Sequence, residues 1–321
     1  MNATSLLKDA PHFDAIRAAH KRISPHIHRT PVITSASLDQ IAGARLFFKC
    51  ENLQKTGSFK IRGATNAIFS LTDEEAGHGV VAPSSGNHAA AMALAARWRG
   101  IPAYIVMPSN SSAAKIKAVE SYGGKITYCE PNMASRENTC AEVMRTTGAH
   151  LVHPYDDARV IAGQGTAALE LLEEVSDLDV VITPASGGGL LSGSSIAAKT
   201  MRSGIRLIGS EPSNADDAYR SLKAGKIEAA AQTETMADGL RATLSPLTFS
   251  ILQSLVDEIS LVTEEEIVAA MLLLWERTKL VVEPSGAVAA APALNRRIRA
   301  EGKKIGIILS GGNLDLHKLP F

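Results

Sequence analysis

Short apolar runs alternate with helix-period segments along most of this chain, and that alternation limits the fold more than any other feature. The runs Leu46 to Lys49, Gly79 to Ala82, Ala103 to Met107, Lys125 to Tyr128, Val180 to Pro184, Arg206 to Ser210 and Lys304 to Leu309 read as strands. Between them Asn87 to Arg99, Ala113 to Tyr122, Ser135 to Thr146, Gly165 to Glu174 and Leu190 to Arg202 read as helices. Strands separated by helices build βαβ units, so the pattern predicts an α/β fold with mostly parallel sheets. Faces such as Ala89-Ala90-Ala91-Met92-Ala93 carry small side chains that let a helix lie close on a sheet. The 321 residues admit one large or two medium domains, and no repeat or long linker marks a boundary.

Charge excludes some partners. Lysine plus arginine and aspartate plus glutamate both number 33, so the formal net charge is zero. No charge run points to nucleic acid or to an anionic membrane. Cys50, Cys129 and Cys140 are widely spaced, odd in number and outside any metal-ligand spacing, which predicts a reducing compartment. Met1 to Ala10 lacks a signal-peptide core, and no apolar run approaches the ~20 residues of a membrane helix. A cytoplasmic protein acting on a small molecule is the expectation.

Four segments carry chemistry. Lys60 follows a strand-like run, Arg45 to Cys50, and a short Gly-containing turn, and it opens an expected helix. A lysine held there inside a pocket is suited to an imine with an aldehyde; the ordinary alternative is a surface lysine at a helix start. Ser84-Ser85-Gly86-Asn87-His88 lies between a strand and a helix, where unsatisfied N–H groups attract an anion. Its ordinary alternative is a Ser/Asn helix cap. Ser186-Gly187-Gly188-Gly189-Leu190 follows a strand, and glycines without Cβ atoms let several amides converge on a phosphate. A tight structural turn is the rival. Glu211-Pro212-Ser213-Asn214-Ala215-Asp216-Asp217 sets two carboxylates six residues apart with a carbonyl between, a set of hard oxygens suited to Mg²⁺ or Ca²⁺; such clusters are more often solvated caps.

With Ser310-Gly311-Gly312-Asn313 near the end of the chain, these segments in this order resemble fold-type II pyridoxal phosphate enzymes. Lys49 to Ala64 in particular resembles the serine racemase and serine/threonine dehydratase family, and the likeness runs from about His28 to Asp315. It implies a tryptophan synthase β-like fold of two domains, each with a mostly parallel twisted sheet flanked by helices. Residues 1–74 and 154–321 would form the large cofactor-binding domain and 75–153 the small one. The cofactor, pyridoxal 5′-phosphate, would be bound by Phe59, Lys60 as Schiff-base lysine, Asn87, Ser186, Gly187, Gly188, Gly189, Leu190, Glu283 and Ser310. Ser84, Ser85, Asn87, His88 and Arg136 would meet the substrate, with His88 better suited to a structural hydrogen bond. Glu211, the Ala215 carbonyl and Asp217 would hold Mg²⁺ (or Ca²⁺ or Mn²⁺). The family forms homodimers.

Finer features of the resemblance narrow the activity. Serine before Gly-Asn-His places a hydroxyl on the cofactor face opposite the lysine, as in the racemase-like branch, so Lys60 and Ser85 are the expected catalytic pair. Ser186 replaces the first of four glycines and could add a hydrogen bond to the phosphate. Ser310 would face the pyridine nitrogen as a neutral partner, which suits β-elimination. Tyr155 stands where asparagine is common. Ala89 and Ala90 depart from the Gly-Gln pair of mammalian serine racemases, so nucleotide regulation is not expected. Arg136, His153 to Asp156 and the last residues look most like bacterial 3-hydroxyaspartate dehydratases. The expected activity is a dehydratase (ammonia-lyase) of threo-3-hydroxyaspartate, serine or threonine, giving an oxo acid and ammonia. The alternative is serine racemase with dehydratase side activity. A non-catalytic amino-acid sensor and a cysteine-synthase-like β-replacement enzyme are weaker rivals.

Overall fold

The computed structural model describes residues 7–319 and 321; Met1 to Leu6, part of the segment Met1 to Ala10 considered above, lie outside them, as does Pro320. Its strands are β1 (Val32–Ile33), β2 (Arg45–Cys50), β3 (Val80–Pro83), β4 (Ala103–Pro108), β5 (Lys125–Cys129), β6 (His150–Leu151), β7 (Val180–Pro184), β8 (Arg206–Pro212), β9 (Glu258–Val262) and β10 (Lys304–Leu309). They form a six-stranded sheet, β1-β2-β10-β7-β8-β9, and a four-stranded sheet, β5-β4-β3-β6. Every pairing is parallel except that of β1 with β2. An α/β fold with mostly parallel sheets was the expectation, and all seven expected strands are present.

Three strands were not expected. β1 and β6 are two residues long, too short for any alternation, and exist because a neighbour pairs with them. β9 opens on Glu258 and pairs with β8 at the sheet edge. The helix expected from Gly165 begins seven residues earlier, at Ala158. Asp157 caps it, accepting from the backbone N–H groups of Arg159 at 2.7 Å and Val160 at 3.4 Å. Gly163 and Gly165 in its first turns blur the apolar period but serve packing. A Cβ on Gly163 would stand 2.6 Å from the Arg62 carbonyl oxygen, and one on Gly165 would stand 2.7 Å from that of Gly193.

The six-stranded sheet is buried on both faces, as parallel sheets are. One core holds Leu46, Phe48, Ile182, Ile305 and Ile307, and the other holds Val181, Leu207 and Ile308. The core around the four-stranded sheet takes in Ile61, Ala64, Ala67 and Ile68 from the helix Lys60–Phe69. That helix is also fixed by charge. Arg62, fully buried, donates from Nε and Nη2 to the two oxygens of Glu51 at 2.7 and 2.8 Å, and from Nη1 and Nη2 to those of Glu170, both at 2.8 Å. Lys49 adds a bond to Glu170 at 2.6 Å. Two cations and two carboxylates thus neutralise one another where no water reaches. No helix of the described residues is long and apolar enough to cross a membrane.

Candidate active site

The chemistry-bearing segments lie at the carboxyl ends of strands: Lys60 after β2, Ser84 after β3, Ser186 after β7, Glu211 in the last residues of β8, and Ser310 after β10. Parallel strands gather such ends on one edge, where helix N-termini also point. The segment ahead of Lys60 closes onto the end of β10. Ser58 bridges Gly311, Phe59 N–H donates to the Ser310 carbonyl at 3.0 Å, and Gly312 N–H donates to the Gly57 carbonyl at 2.9 Å.

Lys60 is the first residue of its helix and is half-buried. Its Nζ donates to the Pro154 carbonyl at 3.3 Å and lies 5.0 Å from the centre of the Phe59 ring. Among the described residues no carboxylate pairs with it, and burial lowers its pKa to about 8. A surface lysine would keep its ordinary value. A neutral amine is the form that attacks an aldehyde, so the setting prepares the nitrogen for an imine.

Asn87 opens the helix Asn87–Arg99, whose N-cap is Gly86 with no side-chain cap. The ordinary reading of this loop as a Ser/Asn cap is therefore not what forms, and N–H groups at the helix start are left without a capping side chain. Gly86 N–H reaches Ser84 Oγ at 3.4 Å, and Ser84, Ser85 and Asn87 are half-buried. The Asn87 amide nitrogen donates to Glu283 Oε1 at 2.9 Å. His88 is buried and Nε2 donates to the Val152 carbonyl at 3.0 Å, which is a structural bond; Nδ1 has no partner. Burial and the nearby Lys60 charge lower its pKa to about 3, so the ring is neutral.

The glycine loop leads into the helix Gly189–Met201, again with no side-chain cap. Ser186 has φ of 70°, a left-handed conformation that costs a non-glycine residue ~1 kcal/mol. Its hydroxyl offsets this by donating to the Gly239 carbonyl at 3.4 Å and accepting from Ala242 N–H at 3.3 Å. The extra hydroxyl bond to phosphate expected of Ser186 is thus turned to the protein, leaving its backbone N–H for an anion. Tyr155 lies against the loop, since a Cβ on Gly187 would meet its ring at 2.6 Å and one on Gly189 its Cβ at 2.9 Å. Ser310 Oγ, buried, donates to the Ser285 carbonyl at 3.3 Å, which keeps its lone pairs free.

Two further expected groups share no hydrogen bond with Lys60, Asn87 or the glycine loop among the described residues, although Asp217 is bonded to Leu244, against which Gly188 packs. Arg136 lies on the helix Met133–Thr147 with Nε buried and unpartnered, and no hydrogen bond ties it to Lys60, Ser85 or Asn87 among the described residues. Glu211 and Asp217 are buried rather than solvated, Glu211 fully. Glu211 accepts from the N–H groups of Ala218 at 3.2 Å and Tyr219 at 3.0 Å, and Asp217 accepts from Leu244 N–H at 3.1 Å. Burial raises both carboxyls, Asp217 to about 7, and the charge of Asp217 further raises Glu211. Among the described residues no three His, Cys, Asp or Glu side chains gather into a metal-binding group. A cation here would draw on two carboxylates, the Ala215 carbonyl and water. Sequence reasoning passed over the Pro154 carbonyl and the side chain of Asn313, whose donors reach Thr56 and Asn87.

Residues 23–311 match the family model described as pyridoxal-phosphate dependent enzyme. A serine racemase of Arabidopsis thaliana is 52% identical over 310 residues, covering 95% of this chain and 94% of that one. A beta-hydroxyaspartate dehydratase of Paracoccus denitrificans (strain Pd 1222) is 50% identical over 311 residues, covering 97% and 99%. The solved structure of maize serine racemase superposes with a TM-score of 0.94 at 50% identity, covering 96% of this chain and 95% of that one. A half-buried lysine amine with a lowered pKa, bonded to the Pro154 carbonyl next to the Tyr155 that packs on an uncapped glycine loop, fits an aldehyde carrying a phosphate, and with a match over most of its length the chain belongs to the pyridoxal-phosphate dependent enzyme family.

Proposed function

We propose that this protein dehydrates a β-hydroxy amino acid to an oxo acid and ammonia, with threo-3-hydroxyaspartate first among substrates and serine and threonine next. The observation that carries the proposal is the half-buried Lys60 amine with no counter-charge, set at the strand ends beside the glycine loop. The beta-hydroxyaspartate dehydratase relative supports the substrate. Pyridoxal phosphate, when bound, supplies electron withdrawal from the substrate α-carbon.

The chain supplies the rest. Backbone N–H groups of Ser186 to Leu190, with the helix dipole behind them, hold the phosphate. The Ser84 to Asn87 turn and its helix N-terminus hold the substrate α-carboxylate. Lys60 Nζ takes the α-proton from one face, and the Ser85 hydroxyl serves the other. Ser310 would face the cofactor ring with an uncharged hydroxyl, and Phe59 and Glu283 would complete the pocket. Arg136 pairs with a second carboxylate of the substrate through its free Nε, with His88 bracing the loop. Glu211, the Ala215 carbonyl and Asp217 hold a divalent cation, Mg²⁺ first. Two buried carboxylates without a basic partner fit that role, because a cation removes their desolvation cost.

Three coarser proposals accompany this reading. Residues 75–153 act as a small domain against 1–74 and 154–321, the protein works in the cytoplasm, and it works as a homodimer. Leu53 and Val281, 46% and 47% exposed and joined through the Asn52 amide on the Val281 carbonyl, would be covered by a second copy. Sedimentation at micromolar concentration tests the dimer.

Racemisation of serine is the second reading, favoured by the serine racemase relatives and by the serine before Gly86-Asn87-His88, which the resemblance sets on the second face. A turnover screen decides between them: serine, threonine and hydroxyaspartate stereoisomers are supplied with and without chelator, and D-serine, pyruvate and oxaloacetate are followed. Dehydration of hydroxyaspartate with ammonia release is the expected result. Efficient D-serine formation with negligible hydroxyaspartate turnover would overturn it.

A further inference from the structure

We infer that Asn313 is a positioning residue that fixes the amide of Asn87 and ties it to the turn in front of Lys60. Its side-chain nitrogen donates to the Thr56 carbonyl at 2.6 Å and to Asn87 Oδ1 at 2.9 Å. An amide nitrogen carries two hydrogens, and both are spent. The oxygen of Asn87 is thereby turned to Asn313 and its nitrogen to Glu283 Oε1 at 2.9 Å. Flipping the Asn87 amide would set its nitrogen against the Asn313 nitrogen, whose hydrogens have no acceptor there. One hydrogen of Asn87 goes to Glu283, and the second is held in a fixed direction for a ligand.

The turn is built around this side chain. Thr56 and Gly57 have φ of 61° and 72°, two successive left-handed residues that swing the chain toward Lys60. Asn313 pins the Thr56 carbonyl within that turn. A Cβ on Gly57 would stand 2.2 Å from Asn313 Oδ1, so glycine leaves the space in which the amide lies. Asn313 is exposed, so it acts through directed bonds more than through burial. One side chain thus sets the distance between the turn that presents Lys60 and Asn87, a residue expected at the cofactor.

This inference rests on the reading of Lys60 as the cofactor lysine. When the cofactor is bound, an Asn87 N–H aimed at it would stabilise negative charge there and so ease loss of the proton held between the cofactor and Lys60. Losing the donor's direction raises the pH at which that proton leaves. The test uses holoprotein loaded with pyridoxal 5′-phosphate, in the wild type, Asn313→Ala and Asn313→Asp. The readouts are the pH midpoint of the visible band and the dissociation constant of the cofactor. Asn313→Ala is expected to raise the midpoint and weaken cofactor binding about three- to ten-fold, the size of one hydrogen bond. Asn313→Asp keeps size and shape over Gly57 but cannot donate, and its charge faces two oxygens, so its shift exceeds that of Ala. A packing role would survive in Asp. Wild-type midpoint and affinity in Asn313→Asp would overturn the inference while leaving the cofactor assignment intact. A wild-type protein with no borohydride-stable label on Lys60 would sink the cofactor assignment, and this inference with it.

Discussion

The Asn87 amide nitrogen lies 2.9 Å from Glu283 Oε1, so a residue at the start of one helix is held by a buried carboxyl 196 positions away. Burial, with the charge of Asp238 adding, raises that carboxyl to about 8. Its folded value exceeds the ordinary 4.5, so its contribution to stability is full below about pH 4.5 and is lost as the pH rises through 8. Glu283→Gln keeps an oxygen for Asn87 without the charge. Melting temperatures of the two proteins should agree at pH 5 and diverge by pH 9, with the variant higher by on the order of a few kcal/mol in stability. Parallel curves across that range would refute the assignment.

Tyr155 and Gly187 occupy one another's space. Gly187→Ala would drive a methyl to 2.6 Å from the Tyr155 ring. We expect cofactor affinity to fall at least ten-fold, at a cost of ~1–3 kcal/mol for overpacking. Adding Tyr155→Ala to that variant should recover much of the loss. A double-mutant cycle by cofactor titration checks this, and simple additivity would show that the two residues do not press on each other.

Buried Glu211 and Asp217 predict a stabilising cation. At pH 7.5, adding Mg²⁺ at about a hundred times its dissociation constant should stabilise the fold by ~2.7 kcal/mol, and chelator should reverse it. Glu211→Gln and Asp217→Asn should each abolish that response. A magnesium-dependent melting shift that persists in both variants would place the ion elsewhere.

Arg62 joins Glu51 and Glu170 two residues after Lys60. Burial alone would raise the Glu170 carboxyl, but Arg62 and Lys49 outweigh it and hold it at about 2. Arg62→Leu leaves those buried carboxylates short of one positive charge, a loss of ~3–5 kcal/mol. Urea unfolding measures it. A change under 1 kcal/mol would mean that water enters the cluster.

Much of this architecture is written locally. The runs that became β7 and β10 were read with their observed ends, because an apolar strand bounded by turn residues needs no distant information. Lys60, Asn87, the glycine loop and Ser310 could be singled out because each is a short segment between a strand and a turn or helix, while the roles proposed for them come from the family they resemble. β1 and β6 could not be, since two residues carry no period. The start of the helix Ala158–Glu174 was hidden by glycines whose purpose is contact with Gly63 and Gly193.

The amino-acid order by itself determined the α/β class, the segments that carry chemistry and the family they resemble, because turn chemistry and apolar period act within a few residues. Only the tertiary structure decided what each segment touches. It turned the Ser186 hydroxyl to Gly239 and Ala242, gave Lys60 the Pro154 carbonyl, and spanned 257 and 226 residues to bring Asn313 onto Thr56 and Asn87. Hydrogen bonds and desolvation act over a few ångströms of space, and that nearness is set by how helices and sheets dock.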